Sequence, residues 1–150
     1  MRALIQRVSE ASVIIEGKKV AEIASGLLIL LGVTDSDTPE DIRWLSNKLT
    51  NLRIFNDADC LLNTSLKDSK GSAIVVSQFT LYAQTKKGNR PSYIKAAKPE
   101  IAKPMYEQFV RQFENDLGQP IQTGAFGADM KVALLNDGPV TIIIDSKVRE

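Results

Sequence analysis

At 150 residues with 43% hydrophobic content, the chain is expected to form one ordinary globular domain, long enough to bury a core. Lys and Arg (19) nearly balance Asp and Glu (18), so no global field gathers a polyanion and any contact with nucleic acid must be a local patch. There is no histidine and one cysteine, Cys60, which excludes an intramolecular disulfide and every Ser-His or Cys-His catalytic pair. A zinc site would have to be assembled from one Cys and carboxylates, so an enzyme here is expected to work without imidazole, metal or cofactor. Polar residues recur through Met1–Arg7, and no apolar run approaches the ~20 residues of a membrane span. Together with the lone cysteine, this predicts a soluble cytoplasmic protein with no membrane partner.

In chain order, Arg2 to Val8 and Ala11 to Ile15 are two β-rich pieces. Glu16-Gly17-Lys18-Lys19 is a hairpin signal and Val20 to Ala24 the next strand, so the opening predicts an antiparallel meander. Gly26 to Val33 is apolar on both faces and fits a central strand covered on each side. Thr38-Pro39-Glu40-Asp41 starts a helix, with proline in the first turn and two acids at the positive end of the helix dipole; Ile42, Leu45, Leu49 and Leu52 continue it as an apolar stripe. Leu52 to Phe55 is a short strand, broken by Asn56-Asp57-Ala58-Asp59. Those acids lack the glycine and distal glutamate of a calcium loop and are assigned to a turn. Asn63 to Gly71 is polar and irregular, an expected exposed loop.

Ala73 to Tyr82 predicts a strong strand whose period-two alternation sets Gln78 and Thr80 on one face and Ser77 and Phe79 on the other. Buried Gln and Thr side chains require partners, so they either join an internal network or line a pocket. Gln84 to Tyr93 places Lys86, Lys87 and Arg90 beside Tyr93. This is either a solvated loop or an arm that contacts RNA phosphates and stacks on a base. Ile101, Met105, Phe109, Val110, Phe113 and Leu117 keep helical spacing from Pro99 to a stop at Gly118-Gln119-Pro120, with Pro104 predicting an early kink or restart. Small residues surround Phe126 between Gln122 and Met130, which allows close approach of another strand or of a ligand. Finally, two apolar runs meet at Asn136-Asp137-Gly138-Pro139. Proline cannot donate to a central ladder, so the segment is either a hairpin between buried strands or a backbone device that a ligand approaches closely. Without repeats or linkers, the whole is one α+β domain, mainly antiparallel, with two substantial helices.

Ser77-Gln78-Phe79-Thr80-Leu81, followed about sixty residues later by Asn136-Asp137-Gly138-Pro139-Val140-Thr141, closely resembles the paired signatures of the D-aminoacyl-tRNA deacylases (D-tyrosyl-tRNA deacylases). Met1 to Val8, Asn89 to Ser92 and Thr123 to Met130 are also similar to that family, so the resemblance runs over essentially the whole chain. It implies a barrel-like sheet and a homodimer with shared active sites. The implied activity is hydrolysis of the ester joining a D-amino acid, or glycine, to the 3′-terminal adenosine of aminoacyl-tRNA. It further implies that the Gly138-Pro139 bond is cis and enters the partner's pocket, where it excludes L-amino acids. Ser77, Gln78, Phe79 and Thr80 then line the site of the adenosine and the scissile ester, Phe126 and Met130 enclose the adenine, and Arg7 braces the Gly-Pro loop.

Such a site fits a chain without histidine. Ester hydrolysis needs an attacking water, or a substrate hydroxyl, and donors for the developing oxyanion; backbone N–H groups near Phe79 and Thr80 could supply these at about 2.7–4 kcal/mol per donor. A threonine with no base beside it is a weak nucleophile, so Thr80 is assigned as a positioning group. The rival readings are a non-catalytic RNA- or nucleotide-binding module and a small-molecule deaminase or hydrolase with its pocket at a subunit interface.

Overall fold

The computed structural model describes residues 1–149, beginning with β1 (Arg2–Ile15), β2 (Lys18–Ile23), β3 (Gly26–Gly32), α1 (Pro39–Asn51), β4 (Arg53–Asn56) and β5 (Leu62–Ser65). There follow α2 (Leu66–Ser69), β6 (Ser72–Ser77), a 3-10 turn (Phe79–Tyr82), α3 (Pro99–Leu117), β7 (Gln122–Thr123) and β8 (Lys131–Asp145). β1 runs antiparallel to β2, β3 and β8, whereas β3–β6 and β6–β7 are parallel. β2 also lies against β6 and β7, which curls the sheet into a nearly closed barrel. The α+β class, the barrel-like sheet and the two substantial helices agree with expectation, and α2 adds a single turn. Among the described residues, no helix is long and apolar enough to cross a membrane.

β3 and β6 separate two apolar cores. Leu27, Ile29, Leu31, Ala73 and Val75 face α1 and α3, while Leu28, Ile74 and Val76 face the barrel interior. Both faces are buried, which is why β3 and the interior of β6 are apolar. β1 changes sides instead. Ala3 and Ile5 point to the helices, but Ala11 and Val13 point into the barrel, because register shifts around Val8 reverse the alternation.

Several expectations from sequence are corrected. The two opening pieces form one strand that bends at exposed Ser9 and Glu10. The opening is not a meander, since β3 pairs with Arg2–Val8 and β2 with Ala11–Ile15; a fourteen-residue strand has room for both. Asn63 to Gly71 is not an exposed loop, for it holds β5 and α2 and buries Leu66 completely. Ser65 Oγ caps this turn, accepting from Asp68 N at 3.0 Å and donating to Asp68 Oδ2 at 2.6 Å, a Ser-x-x-Asp cap visible in the sequence. α3 runs unbroken through Pro104, and its buried stripe is Ala102, Tyr106, Phe109, Phe113 and Leu117, with Ile101 left exposed. The segment around Gly138 is not a hairpin but part of a single long strand paired along β1.

The N-terminus of α1 is tied to the chain end. Asp41, buried, accepts from Thr38 N and Thr38 Oγ1 at 2.8 Å, from Ser146 Oγ at 2.7 Å and from Lys147 Nζ at 2.7 Å. The α-amino group of Met1 donates to Ser146 Oγ at 2.6 Å and to Asp37. Burial pushes the Asp41 carboxyl up, but the hydrogen bonds from Lys147, Ser146 and Thr38 outweigh it and hold the group well below its ordinary 3.8. A folded-state pKa below the unfolded one stabilises the fold above pH 3.8, and that contribution is lost as pH falls further. Asp41→Asn is therefore expected to be less stable than the parent at pH 7, with the gap closing below pH 3.8 in urea titrations. A gap that stays constant down to low pH would remove Asp41 from the acid response.

Candidate functional site

β6 ends at Ser77, and the chain turns at Gln78 (φ −144°, ψ 84°) into the 3-10 turn. The predicted alternation of Ser77, Gln78, Phe79 and Thr80 is thus not realised, since only Ser77 is still in the strand. Gly32 makes the change of direction possible: a Cβ there would lie 3.1 Å from Gln78 O and 3.2 Å from the Leu81 and Tyr82 side chains. In a 3-10 turn the first internal bond is Leu81 N to Gln78 O, at 3.3 Å, so the N–H groups of Phe79 and Thr80 have no acceptor within the turn.

Beside this corner lies a pocket of about 590 Å³, within the range of small-molecule sites. Its walls come from Leu31 of β3, Val76 and Ser77 of β6, Gln78, Phe79, Tyr93, Tyr106 of α3 and the segment Phe126 to Met130. The lining is mostly apolar, with polar side chains at Ser77, Gln78, Tyr93, Tyr106 and Asp129. Tyr106 is a wall and not an acid or base: its hydroxyl donates to Val75 O at 2.8 Å, and burial, with the Glu107 charge adding, pushes its pKa up to about 12. Its ring meets Phe126 at 5.8 Å between centroids. The small residues of this segment have a local use. A Cβ on Gly124 would lie 2.4 Å from Met130 Sδ, so glycine is what lets Met130 fold over the backbone.

Thr80 stands beside the pocket. Its Oγ1 accepts from Gln78 Nε2 at 2.5 Å, the one side-chain hydrogen bond that links the two residues. The remaining candidates form a second group. Arg7 is 7% exposed, and its guanidinium donates to Ile54 O at 2.8 Å and to Asp137 O at 3.1 Å, with the Asp137 carboxylate at 3.3 Å. Asn136 Nδ2 donates to Arg7 O at 2.9 Å and to Val140 O at 3.0 Å, and Thr141 Oγ1 donates to Asn136 Oδ1 at 3.2 Å. These contacts close the base of an excursion in β8, where Gln6 pairs with Thr141 and Val8 with Asn136. At its tip Gly138 has φ +125°, the Gly138-Pro139 bond is cis, and both residues are exposed.

Within one chain the structure brings together Ser77, Gln78, Phe79, Phe126 and Met130, with Thr80 attached through Gln78. Arg7, Gly138 and Pro139 do not line that pocket. Sequence reasoning misses Tyr106 because Met105 takes its place in the apolar stripe; the spacing Ala102, Tyr106, Phe109, Phe113 carries the signal. Among the described residues, no group of three or more His, Cys, Asp or Glu side chains is placed to hold a metal ion.

A nearly closed α+β barrel, with a mostly apolar pocket opening where a central strand gives way to a 3-10 turn, defines the class to which this domain is assigned. The chain belongs to the D-Tyr-tRNA(Tyr) deacylase family, whose sequence profile matches residues 4–145. It is 66% identical to the D-aminoacyl-tRNA deacylase of Flavobacterium psychrophilum and 59% identical to that of Parabacteroides distasonis, each over the full length of both chains. Among solved structures, it is similar to that of a c-Myc DNA Unwinding Element Binding Protein. That likeness has a TM-score of 0.90 at 37% identity and covers 97% of this chain and 98% of that one. A probable eukaryotic D-amino acid tRNA deacylase shares the fold, with a TM-score of 0.81 at 16% identity, over 95% of this chain and 97% of that one. Relatives this similar over their whole length carry the name of a hydrolase, and the chain is an enzyme of the deacylase class.

Proposed function

We propose that this chain hydrolyses the ester of D-aminoacyl-tRNA, and of glycyl-tRNA, releasing the amino acid and the tRNA. The terminal adenosine enters the pocket between Phe126 and Met130, and the scissile ester lies along Ser77, Gln78, Phe79 and Thr80. A water oxygen adds to the ester carbonyl, and the oxyanion is met by the N–H groups of Phe79 and Thr80. The intermediate then collapses by breaking the bond to the ribose oxygen, which takes up the proton given up by the attacking water; the ribose 2′-hydroxyl is close enough in the substrate to relay it. Preorganised donors of this kind contribute about 2.7–4 kcal/mol each.

The observation that carries this reading is the pocket at the β6 corner, with two main-chain donors beside it that have no acceptor in their own turn. Selection against L-amino acids is assigned to the Gly138-Pro139 segment of a second copy. Main-chain oxygens packed against the substrate's α-carbon leave room there for hydrogen and none for a side chain. Glycine, with hydrogen on both sides, then passes. A homodimer with shared sites is supported by the apolar outer surface of β8, where Leu135 is 58% and Ile143 64% exposed on either side of the loop.

Matched D- and L-aminoacyl-tRNA, followed by release of free amino acid, tests the reading. Release from the D-form alone is expected. Release from neither returns the chain to the non-catalytic nucleic-acid-binding module, a second reading favoured by its 37% identity to a DNA Unwinding Element Binding Protein. Thr80 is a positioning group in this mechanism, so Thr80→Ser keeps most of kcat/KM and Thr80→Ala loses about ten-fold, the effect of one hydrogen bond. A covalent aminoacyl ester trapped on Thr80 would make it the nucleophile and overturn that assignment.

A further inference from the structure

Phe79 and Tyr93 make an edge-to-face pair at the pocket, with ring centroids 5.0 Å apart and an interplanar angle of 76°. Both residues are partly open to solvent: Phe79 is 57% and Tyr93 39% exposed. An aromatic pair left partly open to solvent at a pocket marks a surface on which a flat group can rest. Tyr93 is held in place by its neighbours in sequence. Gln84 and Ser92 exchange backbone hydrogen bonds at 2.8 and 3.0 Å just before it, and Lys95 O accepts from Thr34 Oγ1 at 2.7 Å just after. Ala97 N then donates to Val33 O at 2.9 Å, which ties the segment to the end of the central sheet.

The charge along the segment that carries Tyr93 has one sign, although Asp129 lies elsewhere on the pocket wall. Between Ala83 and Pro99 the chain carries Lys86, Lys87, Arg90, Lys95 and Lys98, all exposed, and no acidic residue, although the whole protein has a net charge of only +1. A rigid aromatic surface with cations on both sides of it in the chain is the surface that single-stranded nucleic acid takes, bases on rings and phosphates on ammonium groups.

We infer that Tyr93, with Phe79 as its support, is the stacking platform for the base that precedes the terminal adenosine of the tRNA acceptor strand, with Lys95 and Lys98 as partners for the connecting phosphates. This rests on the reading that the pocket takes the terminal adenosine. The nucleotide leaving the pocket then passes over the exposed pair, and the platform accepts any base because stacking uses a ring face and not an edge pattern. Tyr93 thereby separates a substrate presented on tRNA from the same ester on a free nucleoside.

The test compares the parent with Tyr93→Phe and Tyr93→Ala on two substrates, D-aminoacyl-tRNA and the truncated 3′-O-D-aminoacyl-adenosine. Binding of an unacylated tetranucleotide ending in CCA is measured in parallel by calorimetry. Tyr93→Ala is expected to raise KM for the tRNA substrate and Kd for the tetranucleotide by about 5- to 100-fold, the range for losing one stacked base. Its loss of kcat/KM on tRNA exceeds that on aminoacyl-adenosine by at least about 5-fold, and Tyr93→Phe stays near the parent in every column. Equal losses on both substrates would show that Tyr93 only shapes the pocket and would overturn the platform, as would an unchanged tetranucleotide Kd. If the parent releases amino acid from neither substrate, the deacylase reading fails, and the tetranucleotide arm still decides whether Tyr93 stacks on RNA.

Discussion

Gly138→Ala is expected to lower kcat/KM on D-aminoacyl-tRNA by about 100-fold and to erode discrimination against the L-form, while thermal unfolding stays close to the parent. The backbone at Gly138 has φ +125°, a region that side chains rarely tolerate, and the space is also taken. A Cβ would lie 2.9 Å from Arg7 Nη2, 3.0 Å from Val140 Cγ2 and 3.1 Å from Val140 N. The guanidinium cannot easily retreat, since it is buried and bonded to Ile54 O and Asp137 O. The loop must therefore move, and a displacement of about 1 Å in a positioning element costs on the order of 100-fold. The fold is spared because the tip is exposed and outside both cores. Single-turnover hydrolysis of matched D- and L-substrates checks this; parent-like rates and selectivity in Gly138→Ala would remove the loop from the mechanism.

Gly26→Ala acts on stability instead, with an expected loss of about 3 kcal/mol or more, at the upper end of what overpacking costs. A Cβ at Gly26 would stand 1.9 Å from Ser72 O and 2.7 Å from Ser72 C. Both are backbone atoms, so no rotamer change relieves the clash. Gly26 and Ser72 are the first pair of the parallel β3–β6 ladder, and Ser72 N donates to Ser25 O at 3.1 Å in the same place. Pushing these strands apart disturbs both apolar cores at once, because the two strands form the partition between them. Urea denaturation gives the loss directly. A change below about 1 kcal/mol would mean that the ladder can open at this end without affecting the rest.

Elements whose pattern is local were legible in the residues. The two-sided apolar run of β3, the proline and acids that open α1, the turn at Glu16-Gly17 and the glycine that ends α3 all appear where the sequence places them. The failures share a cause. Ala73 to Tyr82 has strand composition throughout, yet β6 stops at Ser77 because the end of β3 at Gly32 leaves space for the chain to turn over it. Local composition left the Gly-Pro step open between a hairpin and a backbone device, because it cannot report that β1 is long enough to pair on both sides of an excursion. Asn63 to Gly71 looked like a loop because one fully buried residue, Leu66, carries its packing, and a single apolar position makes no period.

By itself the sequence determined the α+β class, the exclusion of imidazole chemistry, and membership of its family through motifs that lie about sixty residues apart. Only the tertiary structure decided the geometry with which the residues that the resemblance groups meet. Ser77 to Phe79 joins Phe126 and Met130 around one pocket, whereas Arg7 and Gly138-Pro139 are held together away from it. Distance along a chain carries no information on that division. It follows from where β1 bends and β6 ends, and those points are set by packing between strands that are remote in sequence.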